Sequence, residues 1–144
     1  MARVVDTQAY LDTVVQLLAQ GRQEIPVTIS GNSMCPFLHP GDTAFLSPLP
    51  QRIRRGQIVL YIRPNGCYIL HRIQKVNRDG SLLLLGDNQC VSEPVQPKQL
   101  RALTTAVRIG QRVVKPGSVH WGFYAHVWSR LVWIRPLFGK ILGK

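Results

Sequence analysis

No acidic residue follows Glu93 in this chain of 144, and only seven occur in all, against eighteen Lys and Arg. The net charge of +11 is unevenly placed: residues 1–50 sum to −2 and residues 51–144 to +13. Such asymmetry points to an anionic partner, with a merely solvated basic surface as the plain alternative. Charged residues are scarce at 17%, while hydrophobic residues reach 45%. A disordered chain would show the reverse. No run of eighteen uncharged apolar residues exists, which excludes a conventional membrane-spanning helix. Met1–Gln20 carries Arg3, Asp6 and Asp12 and lacks the apolar centre of a secretory leader, so the protein is expected to remain cytoplasmic. Cysteine is also scarce. Cys35, Cys67 and Cys90 are odd in number and form no CxxC pair, which argues against a disulfide framework and leaves no short-spaced ligand pair for zinc. No metal and no cofactor are expected.

Three textures follow one another along the chain. Residues 6–20 read as a helix, with Asp6 as N-cap, Gly21 as stop, and Tyr10, Leu11, Val14, Val15, Leu17 and Leu18 on one face. Residues 25–115 read as a β core of short strands near Ile25–Ser30, Thr43–Ser47, Gln57–Arg63, Tyr68–Val76, Leu82–Leu85, Leu100–Arg108 and Arg112–Lys115. Pro64-Asn65-Gly66 and Arg78-Asp79-Gly80 are hairpin turns, because Gly accepts the positive φ that tight turns need. Residues 119–144 read as a basic, aromatic helical tail. Its expected apolar face is Val119, Phe123, Val127, Trp128, Leu131, Val132 and Ile134, with Gly122, His126, Ser129 and Arg130 opposite. The expected architecture is mainly β: a folded barrel or sandwich with an N-terminal helix, forming one domain over 1–118, and an amphipathic appendage over 119–144. Trp and Phe with Arg130, Arg135, Lys140 and Lys144 suit an anionic membrane surface, so the tail is expected to hold the protein on the inner membrane face or to pack on its own core. Nucleic acid is not an expected partner.

Three segments carry chemistry. Ser30-Gly31-Asn32-Ser33-Met34-Cys35-Pro36, followed by Gly41-Asp42, is a small-residue turn leaving a strand with Ser33 at its tip. Such a turn can expose a hydroxyl and gather backbone amides, the two needs of a serine nucleophile, or it can simply be a turn. In Tyr68-Ile69-Leu70-His71-Arg72-Ile73, alternation puts Ile69, His71 and Ile73 on one face and Tyr68, Leu70 and Arg72 on the other. His71 is then either a core histidine or a general base of near-neutral pKa. In Gly86-Asp87-Asn88, the carboxylate caps its own turn or orients an imidazole.

These stretches, together with Gly56-Gln57-Ile58-Val59, appear in the order found in signal peptidase I-like serine peptidases, a clan that also includes the self-cleaving SOS-type repressors. The chain resembles that family over about residues 25–108. The resemblance implies Ser33 as nucleophile and His71 as general base, in the manner of the branch that uses His where bacterial signal peptidases use Lys. It implies Asp87 as the carboxylate that orients His71, with Glu93 as a second candidate, and Gly31, Asn32 and Met34 at the oxyanion and substrate-binding turn. The implied reaction is cleavage of a peptide or protein precursor through an acyl-enzyme, with an extended substrate on a strand edge and small residues before the cut. Gln57 stands where the family usually has Asp, at a non-catalytic position. Only fourteen residues separate His71 from Gly86, too few for the inserted subdomain of bacterial signal peptidases. A non-catalytic or self-processing regulatory module on the same fold is the alternative, its basic surface meeting membrane or nucleic acid.

Overall fold

The computed structural model describes residues 4–132 and 135. Helix α1 (Val4–Ala19) begins two residues before the expected Asp6. It ends as expected at Gly21, where Gly21 N–H donates to Leu18 O and Arg22 N–H to Leu17 O, the paired closure that a left-handed residue allows. Leu11, Val14 and Leu18 are its buried face.

Eight strands make one antiparallel sheet: β1 (Ile25–Thr28), β2 (Thr43–Ser47), β3 (Ile58–Ile62), β4 (Tyr68–Val76), β5 (Leu82–Leu85), β6 (Glu93–Val95), β7 (Leu100–Ile109) and β8 (Arg112–Val114). Their order is β1-β2-β7-β3-β4-β5-β6, with β8 paired to β7. The mainly β expectation holds, but the sheet is open rather than a closed barrel, because β1 and β6, its two ends, do not pair with each other. Both expected hairpins close: Arg63 N–H donates to Cys67 O at 2.9 Å and Asn77 N–H to Ser81 O at 2.9 Å. Strand β6 contains Pro94, which a strand tolerates at a sheet edge where its missing N–H costs no ladder bond.

The central strand β3 is buried on both faces, and its alternation separates two cores. Ile58 and Leu60 join Val14 and Leu18 of α1, Phe37, Leu38 and Trp121. Val59 and Tyr61 join Ile73, Leu82, Leu84, Val95 and Leu100. On β4 the expected alternation is present: Tyr68 and Leu70 pack on the first core, and Ile69 and Ile73 belong to the second.

Helix α1 is fastened at two places beyond its buried face. Tyr10 Oη donates to Pro26 O on β1, while Gln8 Nε2 donates to Gly66 O and Asp12 Oδ1 accepts from Tyr68 Oη at the β3–β4 hairpin.

After β8, Ser118 Oγ accepts from Trp121 N–H and starts α2 (Val119–Gly122), which runs into a π-helical turn (Phe123–Val127) and a 3₁₀ turn (Trp128–Arg130). The expected faces hold in part: Trp128 is buried and His126 and Arg130 are exposed as expected, while Val119, Phe123, Val127 and Ser129 lie the other way. Trp121, Ala125, Trp128 and Ser129 are buried, whereas Val119, Phe123 and Val127 are exposed. The buried positions 121, 125, 128 and 129 still follow helical spacing, so the face is turned rather than lost: Ser118 caps the helix and sets Trp121 against the Phe37 ring at 5.4 Å, which leaves Val119 and Phe123 toward solvent. Trp121 and Ala125 of this segment join the first core, and Ser129 is tied to it: Arg55 Nη2 donates to Ser129 Oγ and Gln74 Nε2 to Ser129 O. The expectations for Trp133, Ile134 and 136–144 lie outside the described residues.

Candidate active site

The turn after β1 presents Ser33. Its backbone is anchored from below by buried Met34, Phe37 and Leu38, and internally by Cys35 N–H to Asn32 O and Leu38 N–H to Met34 O. Gly31 and Asn32 are exposed at its rim, and Ser33 is half-buried. A second turn, after β5, is laced to it: Asn88 N–H donates to Ser33 O at 2.9 Å and Asn88 Nδ2 to Asn32 O at 3.2 Å. Gly86 lies so close that a Cβ there would run into the Ser33 carbonyl oxygen.

Ser33 and His71 line one cavity of about 530 Å³. Val27–Ser30 form one wall, Tyr68–His71 the other, and Tyr10 and Leu11 of α1 also border it. Strand β5 accompanies β4 only from Arg72 onward, so Tyr68–His71 have a ladder partner on the β3 side alone. Ser33 and His71 make no hydrogen bond to each other here. Catalytic hydrogen bonds often form only when a substrate closes the site.

His71 lies opposite Val59 and is 2% exposed. Burial lowers its pKa from 6.5 to about 4, with Glu93 raising and Arg63 lowering it by smaller amounts. The ring is therefore neutral at neutral pH, as a general base must be, although its pKa is not the near-neutral value expected of an ordinary imidazole. Its Nδ1 is 3.3 Å from Tyr61 Oη. Tyr61 Oη in turn donates to Glu93 Oε1 at 3.0 Å, and Arg63 holds both Glu93 oxygens at 3.0 and 2.7 Å. The Arg63 hydrogen bonds hold the Glu93 carboxyl below its usual range, and burial pushes the Tyr61 hydroxyl up, with Glu93 adding to it.

Asp87 is elsewhere. Both its oxygens accept from Arg72, from Nε and Nη2, each at 2.9 Å, and both residues are 1% exposed. The expected pairing of Asp87 with His71 is thus replaced by a pairing with the neighbouring Arg72. Alternation is the reason: Arg72 points to the first core, over the Phe37 ring at 5.1 Å, while His71 points with Tyr61 to the other face. Burial pushes the Asp87 carboxyl up, against the opposite pull of Arg72 and Arg135. Glu93, the second candidate, is the carboxylate on the His71 side, and it reaches the ring through Tyr61.

The Asp87 turn is bound from beneath by the C-terminal segment. Trp128 Nε1 donates to Asp87 O at 2.7 Å, and Arg135 Nη1 donates to Gly86 O and Gln89 O. Lys75 is exposed on β4 beyond a register shift and does not border the cavity. Cys35 is half-buried and Cys67 and Cys90 are exposed, and among the described residues no cluster of His, Cys, Asp and Glu is placed to hold a metal.

A family model described as Peptidase S24-like matches residues 3–109. The chain belongs to the Peptidase S24-like family. No curated protein and no solved structure matches it. An S24-like peptidase is built on a serine peptidase fold that either cleaves other proteins or cleaves itself as a regulator, and the matched span contains Ser33, His71, Asp87 and Glu93 alike. Three residues at the site of this S24-like protein escape sequence reasoning: Tyr61, Arg63 and Arg72. The first two were within reach, since the Pro64-Asn65-Gly66 turn fixes the register that brings Tyr61 opposite Ile69, two residues from His71.

Proposed function

We propose that this S24-like protein is a serine endopeptidase of signal peptidase I-like type that processes a precursor peptide, with Ser33 as nucleophile and His71 as general base. The observation that carries the reading is the shared cavity: Ser33, on a tight turn, and His71, buried and neutral, both line one space beside a stretch of β4 that is paired on one side alone. An extended peptide laid along Tyr68–His71 would complete that ladder and bring a carbonyl to Ser33. His71 takes the Ser33 proton as Oγ bonds to the carbonyl carbon. Backbone amides of the Gly31–Met34 turn stabilise the oxyanion, the amine leaves with the proton from His71, and water then hydrolyses the acyl-enzyme. Small residues before the cut follow from the resemblance to signal peptidases.

A labelled fluorophosphonate tests this directly. The full chain should react at Ser33, and Ser33→Ala should lose both the label and cleavage of precursor peptides. A wild-type chain left unlabelled, or a Ser33→Ala chain that cleaves at the wild-type rate, would overturn it.

Self-cleavage is the second reading, favoured by Tyr10 and Leu11 of the chain's own helix bordering the cavity. Those residues are helical, and a serine peptidase takes its substrate extended, so intact mass should stay constant on incubation. No helix among the described residues is long and apolar enough to cross a membrane. Contact with an anionic membrane surface, in this proposal, rests on exposed Val119, Phe123, Val127 and Arg130. Sedimentation with anionic vesicles at low salt should then weaken in Phe123→Ser, and equal binding by that variant would refute the contact.

A further inference from the structure

We propose that Tyr61 is a positioning residue for the base: its hydroxyl, inserted between Glu93 and His71, fixes the imidazole as the Nδ1–H tautomer and leaves Nε2 to accept the Ser33 proton. The inference rests on the peptidase reading for its catalytic meaning, though not for its geometry.

The direction of each hydrogen bond follows from the donors present. Glu93 is gripped by two guanidinium nitrogens of Arg63, Nε and Nη2, and held ionised, so it can only accept. Tyr61 has one proton, and at 3.0 Å from Glu93 Oε1 that proton goes to the carboxylate. The Tyr61 oxygen then offers only lone pairs to His71 Nδ1 at 3.3 Å. With a lone pair on Nδ1 the two atoms would repel, whereas with a proton there they attract. Tyr61 is fully buried and His71 nearly so, which leaves no water to substitute for the partner and raises the cost of the wrong tautomer. The charged groups around the ring are Arg63, just after β3, and Glu93 of β6, which form an ion pair with one another.

In a serine triad a carboxylate contacts the imidazole directly, fixing its tautomer and stabilising the imidazolium. Here the two tasks are divided. Tyr61 fixes the ring, and the Glu93 charge acts one residue further away, already balanced by Arg63. During acylation the Ser33 proton moves to Nε2 and the Nδ1 proton stays on His71. No proton passes to Tyr61, whose hydroxyl is held far above the imidazole in pKa by burial and Glu93.

Two measurements on the full chain decide the proposal. Nitrogen-15 NMR of His71 near pH 7 should show the Nδ1–H tautomer in the wild type, and Tyr61→Phe should shift the ring toward Nε2–H. The rate of fluorophosphonate labelling at Ser33 should fall about tenfold to a hundredfold in Tyr61→Phe, as expected for loss of a neutral partner to the base. Glu93→Gln keeps an acceptor for Tyr61 and should retain the tautomer. A wild-type ring in the Nε2–H form overturns the proposal without any variant, so failure of Tyr61→Phe to fold does not protect it. Wild-type labelling by a well-folded Tyr61→Phe chain also overturns it. Absence of wild-type labelling would instead sink the peptidase reading, while the tautomer measurement would still decide the hydrogen-bond chain.

Discussion

The backbone N–H of Asn88 donates to the carbonyl oxygen of Ser33 at 2.9 Å, so the turn after β5 and the turn bearing Ser33 are held as one unit. Asp87, one residue earlier, pairs with Arg72 and not with His71. Its ion pair with Arg72 fixes the turn, and the turn fixes the serine.

Gly86→Ala should damage this unit. The new Cβ would meet the Ser33 carbonyl, a backbone atom that cannot swing aside. Overpacking of this kind costs about 1–3 kcal/mol. Displacing a nucleophile by fractions of an ångström should slow labelling of Ser33 by at least about tenfold. Urea unfolding and labelling kinetics on one sample check both, and an unchanged labelling rate would show that the two turns are not mechanically coupled.

The Arg72–Asp87 pair should behave as a buried ion pair. Asp87→Ala leaves a guanidinium buried without its partner and should cost about 3–5 kcal/mol. Replacing both, as Arg72→Met with Asp87→Leu, should recover much of that loss, because no charge is then stranded. Chemical denaturation of the single and double variants tests this, and equal loss in both would mean that the pair itself stabilises the fold.

Acid should act through His71. Its folded pKa of about 4 lies below the unfolded value near 6.5. As pH falls from about 6.5 to about 4, the unfolded chain takes up a proton that the folded chain refuses, so stability is lost across that window, by about 3 kcal/mol from this group. His71→Gln should flatten the dependence between pH 4 and 6.5. The acid limb of labelling should lie near pH 4 rather than near 6.5, and a limb at 6.5 would show that His71 is more hydrated than its burial implies.

The C-terminal segment should be needed for the fold. A chain ending at Lys115 exposes the surfaces that Trp121, Ala125 and Trp128 cover and frees the Asp87 turn. It should aggregate or unfold well below the full chain's midpoint. Trp128→Phe removes the bond to Asp87 O and part of a buried ring that packs on Tyr124 and Arg135, and should cost about 1–3 kcal/mol. A shortened chain that folds and labels normally would show that the segment is an appendage after all.

The sequence carries the helix, both hairpins and the β4 faces plainly, because periodicity and glycine turns are local signals. Strand β6 is hidden by Pro94, which argues against a strand unless the strand is known to lie at an edge, and edge position is not local information. With β6 hidden, the route from Glu93 to His71 through Tyr61 is hidden too. Alternation on β4 already separates His71 from Arg72. Which of them Asp87 joins depends on the path of the chain after Leu85, and that path is set by Ser33, Trp128 and Arg135 from distant parts of the sequence.

Helix α1 reaches both walls of the cavity, through Tyr10 to the Pro26 carbonyl on one side and through Gln8 and Asp12 to Gly66 and Tyr68 on the other. A helix advances about 1.5 Å per residue and does not stretch, so it acts as a calliper set to one opening. The gap between β1 and β4 is therefore spanned at a set width, and on the proposed peptidase reading a bulkier substrate would have to release one jaw, Tyr10 or the Gln8–Asp12 pair.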